Sequence, residues 1–127
     1  MKPRRRPRKK FVLSSSPYPW DVILHIGGKE ESEAYQRRRG YSNPEHGHNG
    51  GEVASVSEDG WVQEIYAWVN GFEWQAEKVG SLVHELLHAT QLILKKCGVE
   101  DDEAQAYLLE SLVKQALAKI PTGRKLK

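Results

Sequence analysis

A stripe of mostly apolar residues in the second half of the chain is the feature that most restricts the fold. Between positions 79 and 97 these residues recur every three or four positions, as on the buried face of an α-helix. They are Val79, Leu82, Val83, Leu86, Leu87, Thr90, Ile93, Leu94 and Cys97. Lys95, Lys96 and Gly98 mark the end of this helix. The chain is therefore predicted to contain one long helix that packs a single face against a core.

Polar residues mark the start of this helix and of a second one. Asn70 is a candidate N-cap, and Glu73 lies three positions later at the spacing of a capping box. Gly80 would cost ~1 kcal/mol relative to alanine inside a helix, so Ser81 is an alternative first residue. The acidic residues at 100–102 favour the N-terminus of a second helix.

Three segments are candidate β-strands. Trp20–Ile26 and Trp61–Val69 are rich in aromatic and β-branched residues, and Glu52–Ser57 is a further candidate. Asp59-Gly60 lies between the last two segments and predicts a hairpin turn. Strands followed by two helices indicate an α+β domain.

The length of the chain favours a single domain, because 127 residues can bury one core but not two. We expect a disordered basic arm and a Ser/Pro linker at 1–19, a folded domain at 20–121 and a basic tail at 122–127. Residues 29–51 are polar and glycine-rich, and they predict a long loop with room for one short helical turn around Glu31–Arg37.

The charges are unevenly distributed along the chain. Subtracting the seven basic residues at 2–10 from the net charge of +2 leaves −5 for the rest. Such an arm favours binding to nucleic acid or to an acidic partner, or it serves only as a solubilising end. No segment has the ~18–20 apolar residues of a membrane span. The single cysteine excludes an internal disulfide. We therefore expect a soluble, cytoplasmic protein without membrane contact.

Residues 83–89 carry the motif with the clearest chemistry. His84 and His88 are four positions apart, so they project from the same side of a helix. This spacing lets two imidazoles bind one tetrahedral Zn²⁺ ion at about 2.0–2.1 Å. Glu85 is placed to act as general base, as in the H-E-x-x-H arrangement of metallopeptidases. The alternative is an exposed histidine pair with an accidental glutamate beside it.

A catalytic zinc site also takes a third protein ligand. Glu103 is the first candidate, because a short turn would fold the second helix back beside the first. Glu110 lies two turns further along nearly the same face and is the second candidate. Tyr107 could donate a hydrogen bond to a developing oxyanion, although such a tyrosine more often packs.

The remaining histidines have less defined roles. His46 and His48 form a His-Gly-His sequence in the long loop, where they could bind metal or stay exposed to solvent. His25 lies in a predicted strand and is interpreted as a structural residue.

One part of the sequence resembles a known family. His84-Glu85-Leu86-Leu87-His88 followed by Glu103-Ala104-Gln105-Ala106-Tyr107-Leu108-Leu109 is similar to the gluzincin branch of the zincin metallopeptidases. The likeness is to minimal versions from phages and prophages and, more distantly, to ImmA/IrrE-like domains. It implies a small antiparallel or mixed sheet packed on the active-site helix. It also implies that an edge strand, here Trp61–Val69, lies along the cleft and that Glu103 completes the zinc site.

These features together predict a zinc-dependent peptidase. Its ligands are expected to be His84, His88 and Glu103, with Glu85 as the general base. The alternative is a non-catalytic binding module that zinc stabilises and that uses the basic arm on nucleic acid. Because structural zinc sites are usually closed by four protein ligands, a fourth ligand from 46–48 would favour the alternative.

Overall fold

The structure of the chain, a computed structural model, describes residues 9–40, 46–48, 51–58, 61–122 and 126. These residues form β1 (Lys10–Ser14), β2 (Asp21–Gly27), α1 (Lys29–Arg39), β3 (His46–His48), β4 (Gly51–Glu58), β5 (Trp61–Asn70), α2 (Ala76–Lys96) and α3 (Asp102–Lys119). None of these helices is both long enough and apolar enough to cross a membrane. The predicted α+β class is confirmed.

The strands form one mixed sheet in the order β1-β2-β5-β4-β3. β2 and β5 are parallel, whereas the other three neighbouring pairs are antiparallel. The predicted hairpin of the last two strands is confirmed by the antiparallel pairing of β4 with β5.

Strand β5 is an inner strand and not the edge strand that the resemblance implies. It pairs with β2 on one side and with β4 on the other. The run from Ile65 to Val69 is at most 1% exposed, as expected of a strand that is covered on both faces. Among the described strands, β1 and β3 form the two edges.

Side chains alternate between the two faces of the sheet. One face forms the main hydrophobic core with helices α2 and α3; it includes Leu13, Leu24, Val53, Ile65, Ala67 and Val69, packed with Leu82, Leu86, Ala89 and Leu112. The other face carries Tyr66 and Trp68, and Tyr35 of α1 packs against them. The histidine-bearing helix α2 therefore lies on the apolar face.

Helix α2 begins at Ala76 and not at either predicted start. Asn70 is the last residue of β5, so the expected capping box does not form, and Gln75 holds the N-cap position. Ser81 lies inside the helix because Gly80 is tolerated there, with open space where a Cβ would be.

The connection from α2 to α3 follows the signals in the sequence. Gly98 adopts a left-handed φ of 70° just after the helix, as predicted for a C-terminal glycine. The side chain of Asp101 accepts a hydrogen bond from the backbone N–H of Glu103 at 3.0 Å and caps α3. Cys97 belongs to the predicted apolar stripe, yet it is exposed because it lies at the C-cap.

The segment expected to be an arm and linker contains strand β1, so the predicted boundary at residue 20 is too late. Phe11 and Leu13 are buried, and Val12 between them is exposed. The backbone N–H of Ile26 donates to the carbonyl of Lys9 at 2.8 Å. A strand of five residues beside a run of basic residues is too short to show a clear alternation of apolar and polar residues, so the sequence did not predict it.

Two residues of the predicted arm contact α1. Lys9 Nζ is 2.9 Å from a carboxylate oxygen of Glu31, and Lys10 Nζ is 4.9 Å from the ring centre of Tyr35. The expected nucleic-acid contact therefore depends on residues 2–8, which lie outside the described residues.

Two other segments also differ from expectation. The predicted loop at 29–51 contains the whole of α1. The helical turn expected around Glu31–Arg37 is confirmed, but the helix is longer than predicted because it has almost no apolar stripe to mark its length. In the expected basic tail, Leu126 is 1% exposed and pairs with Phe72 through backbone hydrogen bonds of 2.6 Å. The domain thus extends beyond residue 121.

Candidate metal centre

Helix α2 brings the two histidines of the H-E-x-x-H motif together. The Nε2 atoms of His84 and His88 are 3.1 Å apart. The ring centres are separated by 4.7 Å, with an angle of 86° between the ring planes. Both rings thus present the same nitrogen to one point beside the helix.

The separation of these nitrogens fits a shared metal ion. Two nitrogens that each lie about 2.0–2.1 Å from a tetrahedral zinc ion are about 3.3–3.4 Å apart. The observed 3.1 Å also suits a direct hydrogen bond in which one ring donates and the other accepts. Since the side chain of His84 is 55% exposed, a ligand can reach the pair from solvent.

Glu85 places a buried carboxylate next to the imidazoles. Its side chain is only 1% exposed, and its Oε1 atom lies 3.9 Å from His84 Nε2. The potential ligand atoms of His84, Glu85 and His88 all lie within 4.8 Å of one another. Among the described side chains, this is the group that could hold a metal ion.

Strand β4 fixes the position of Glu85. A Cβ atom added to Gly51, the first residue of β4, would lie 2.8 Å from Glu85 Cγ and 2.9 Å from its Cδ. The glycine therefore lets the side chain of Glu85 lie directly on the strand. The sequence does not predict this role for Gly51; the signal that could have pointed to it is a glycine next to a predicted strand.

Helix α3 packs along a different flank of α2. Leu94 and Gln91 line a recess together with the start of α3. Leu94 is nine residues after Glu85, which is about half a turn around the helix at 100° per residue. The carboxylate side of α2 faces β4, and the opposite side faces α3.

The structure does not bring the candidates on α3 to the imidazoles. Glu103 is exposed in the first turn of α3, and it does not belong to the group of described side chains whose ligand atoms lie within 4.8 Å of one another. Glu110 forms an ion pair of 2.6 Å with Lys114, and Tyr107 is 68% exposed. The predicted short turn is present, and α3 packs against α2 as expected.

His46 and His48 lie in β3 and not in a loop. In the register of β3 with β4, His46 is opposite Val53 and His48 is opposite Gly51. β3 is thus the strand next to the one that contacts Glu85.

His25 belongs to a separate polar network on the other face of the sheet. Its Nδ1 atom is 2.7 Å from the hydroxyl of Tyr66, and that hydroxyl is 2.8 Å from Oγ of Ser32. Burial, together with the nearby charge of Lys10, lowers the pKa of His25 to about 4. Burial also raises the pKa of Tyr66. A neutral imidazole and a neutral phenol therefore form this network, which supports the interpretation of His25 as structural.

Comparison of the chain with protein-family models, with curated proteins and with solved structures found no match. The functional assignment therefore depends on the geometry of residues 84–88 and of the strands beside them.

Proposed function

We propose that the chain is a zinc-dependent peptidase with a zincin-like site, in which His84 and His88 bind the metal and Glu85 is the general base. The observation that carries this proposal is the 3.1 Å separation of the two Nε2 atoms beside the buried carboxylate. The resemblance of residues 84–88 to the gluzincin motif supports the same function.

The donor set suits zinc. Two imidazole nitrogens and a nearby carboxylate are typical of catalytic zinc sites in hydrolases. When bound, zinc supplies a Lewis acid that polarises the scissile carbonyl and makes water a stronger acid.

The role of Glu85 follows from its position. Its carboxylate is held by burial against Gly51 and cannot swing into solvent. From there it accepts a proton from the attacking water and later passes this proton to the leaving amine.

The test measures zinc content and peptide hydrolysis in the same variants. Glu85→Gln keeps the size of the side chain and removes the proton acceptor, so it should retain zinc and lose about 10²- to 10⁴-fold in activity on a broad peptide library. His84→Ala and His88→Ala should lose the zinc itself. Glu110→Gln, which changes an exposed carboxylate on α3, is the matched control and should leave both measurements unchanged.

Two results would contradict the proposal. Equal zinc content in the wild type, His84→Ala and His88→Ala would show that the metal is bound elsewhere. If the zinc-loaded wild type and Glu85→Gln were equally inert, the peptidase function would be wrong and the zinc-stabilised binding module would replace it.

A further inference from the structure

Strand β1 forms one edge of the sheet, so half of its backbone polar groups point away from β2. The backbone N–H of Ile26 donates to the carbonyl of Lys9, and in this antiparallel pair every second residue from 9 to 13 therefore faces β2. The residues between them, Lys10, Val12 and Ser14, direct their N–H and C=O groups outward. An edge of this kind is a template for pairing with another strand.

Helix α3 covers this edge with the side chain of Gln115. The backbone N–H of Ser14 donates to Oε1 of Gln115 at 2.8 Å, and Nε2 of Gln115 donates to the carbonyl of Ser14 at 2.9 Å. A residue on a paired antiparallel strand would exchange the same two hydrogen bonds with Ser14. Nε2 of Gln115 also donates to Oγ of Ser111 at 3.1 Å, which holds the amide in position. The side chain of Gln115 thus takes the place of a neighbouring strand.

Lys119, one turn further along α3, covers the next outward group of the strand. Its Nζ atom donates to the carbonyl oxygen of Val12. Four residues of a helix rise about 6 Å, and two residues of a strand span about 6.8 Å. The pair Gln115 and Lys119 therefore matches the spacing of Ser14 and Val12. Since the side chain of Val12 is 51% exposed, these two residues of α3 are what covers the edge at this point.

Without these contacts, the edge of β1 would fit the same strand of a second copy of the chain. In an antiparallel pair centred on Val12, this residue lies opposite its counterpart, and Lys10 lies opposite Ser14 of the other copy. The outward N–H and C=O groups of the two strands then pair with one another. No two like charges are directly opposite in this register. The edge is thus self-complementary, as the interface of a two-fold dimer must be.

We propose that Gln115 and Lys119 close the edge of β1 and so prevent the β1 strands of two copies from pairing. The inference concerns one edge of the sheet and does not depend on the zinc site proposed above. Phe11 and Leu13 anchor β1 in the core, so the strand stays in the sheet when the two side chains of α3 are shortened or replaced. Their removal therefore frees the edge without removing the strand.

The test compares the full chain with the double variant Gln115→Met/Lys119→Met by sedimentation velocity over a series of concentrations. Methionine has nearly the same helix propensity as glutamine and lysine, and it removes the groups that bond to β1. Lys114→Met is the matched control, because Lys114 lies on the same helix and pairs with Glu110. The wild type and the control should sediment as monomers, whereas the double variant should form a reversible dimer as its concentration rises.

Hydrogen exchange of single amides measures whether the edge is open. At a concentration at which the double variant is monomeric, its Ser14 amide should exchange about 5- to 10-fold faster than in the wild type, since it loses one hydrogen bond. The amide of Leu13, which faces β2, should exchange at the same rate in both and shows that β1 keeps its place. If the double variant does not fold, Gln115→Met alone is measured in the same two ways.

A third substitution identifies the surface that the dimer uses. Val12→Lys, added to the double variant, places two lysines opposite each other at the centre of the strand pair and should restore the monomer. A double variant that stays monomeric at every concentration would overturn the inference, as would a dimer that Val12→Lys does not dissociate. An unchanged exchange rate at Ser14 would show that Gln115 does not protect the edge. A dimeric wild type that Val12→Lys dissociates would show that the edge is not closed.

Discussion

Gly51 contacts the candidate metal centre although it carries no side chain. Its α-carbon lies under the side chain of Glu85, and a Cβ there would also be 2.5 Å from the carbonyl oxygen of Trp68. Contacts below 3 Å with a backbone atom and with a buried stem cannot be relieved without moving the strand or the helix. The position of the proposed general base therefore depends on the residue that faces it.

We expect Gly51→Ala to displace Glu85. The substitution should lower the free energy of unfolding by about 1–3 kcal/mol, as overpacking in a core does, and reduce peptide hydrolysis. Gly80→Ala is the matched control, because Gly80 lies within α2 with open space around the added methyl group. It should raise stability by up to about 1 kcal/mol. Urea denaturation of both variants checks this, and a Gly51→Ala protein as stable and active as the wild type would contradict it.

His25 should make stability depend on pH. Burial lowers its folded-state pKa to about 4, whereas an unfolded histidine titrates near 6.5. The unfolded chain therefore binds more protons between these values, and the stability present above pH 6.5 is lost as the pH falls toward 4. The loss should reach about 3 kcal/mol. Lys9, Lys10, Glu31 and Tyr66 face the imidazole, and the charge of Glu31 partly offsets the effect of the lysines.

Denaturation curves at pH 7 and pH 4.5 test this prediction on metal-free protein. His25→Gln should reduce the difference in unfolding free energy between the two pH values. Val12→Ala, a substitution at an exposed residue that does not titrate, should leave it unchanged. An identical pH dependence in the wild type and His25→Gln would show that other groups cause it.

Among the elements, the two edge strands differ most from what the sequence predicts. β1 has five residues and β3 has three, too few for periodicity to be distinguished from chance. α1 is polar along its whole length, so no apolar stripe marks it. By contrast, α2, β2 and β5 were predicted well. Each contributes many apolar residues to the core, and these residues recur at the spacing that is typical of a helix or a strand.

Strand β1 should be essential to the fold. Leu13 is fully buried, whereas its neighbour Val12 is 51% exposed. Leu13→Ala should cost about 2–5 kcal/mol of stability, as large-to-small substitutions in a core do. Val12→Ala should stay within about 0.5 kcal/mol of the wild type. Thermal or urea unfolding distinguishes the two, and equal stability of both variants would mean that β1 is dispensable.

One part of the candidate site could be predicted from spacing within a single helix, whereas another part depends on how distant elements pack. The positions of His84, Glu85 and His88 relative to one another follow from helix geometry, so the sequence was sufficient to group them. A third ligand depends on which elements flank α2, and that depends on the strand order of the whole sheet. The sequence favoured Glu103 because α3 is the next element, whereas the structure shows β4 against Glu85 through Gly51.

At the scale of the whole molecule, one sheet separates two environments. The face toward α2 and α3 is apolar and borders the candidate metal centre, while the face toward α1 holds the hydrogen-bonded network of His25 and Tyr66. The outer helix α1 is tied to the sheet by polar contacts, including the pair of Arg39 with Glu64 at 2.9 Å. Two substitutions, one on each face, should therefore change the free energy of unfolding by the sum of their separate effects, because few contacts join the side chains of the two faces.

The parallel pair of β2 and β5 should also influence the order in which the elements fold. His25 and Tyr66 on these strands are 41 positions apart in the sequence. The β4–β5 hairpin and the α2–α3 pair close much shorter loops, and their contacts cost less entropy to form. The C-terminal half should therefore fold first, with β2 and then β1 joining last. In stopped-flow experiments, Val22→Ala should mainly accelerate unfolding, whereas Leu112→Ala should slow refolding. A refolding rate that falls more for Val22→Ala would reverse this order.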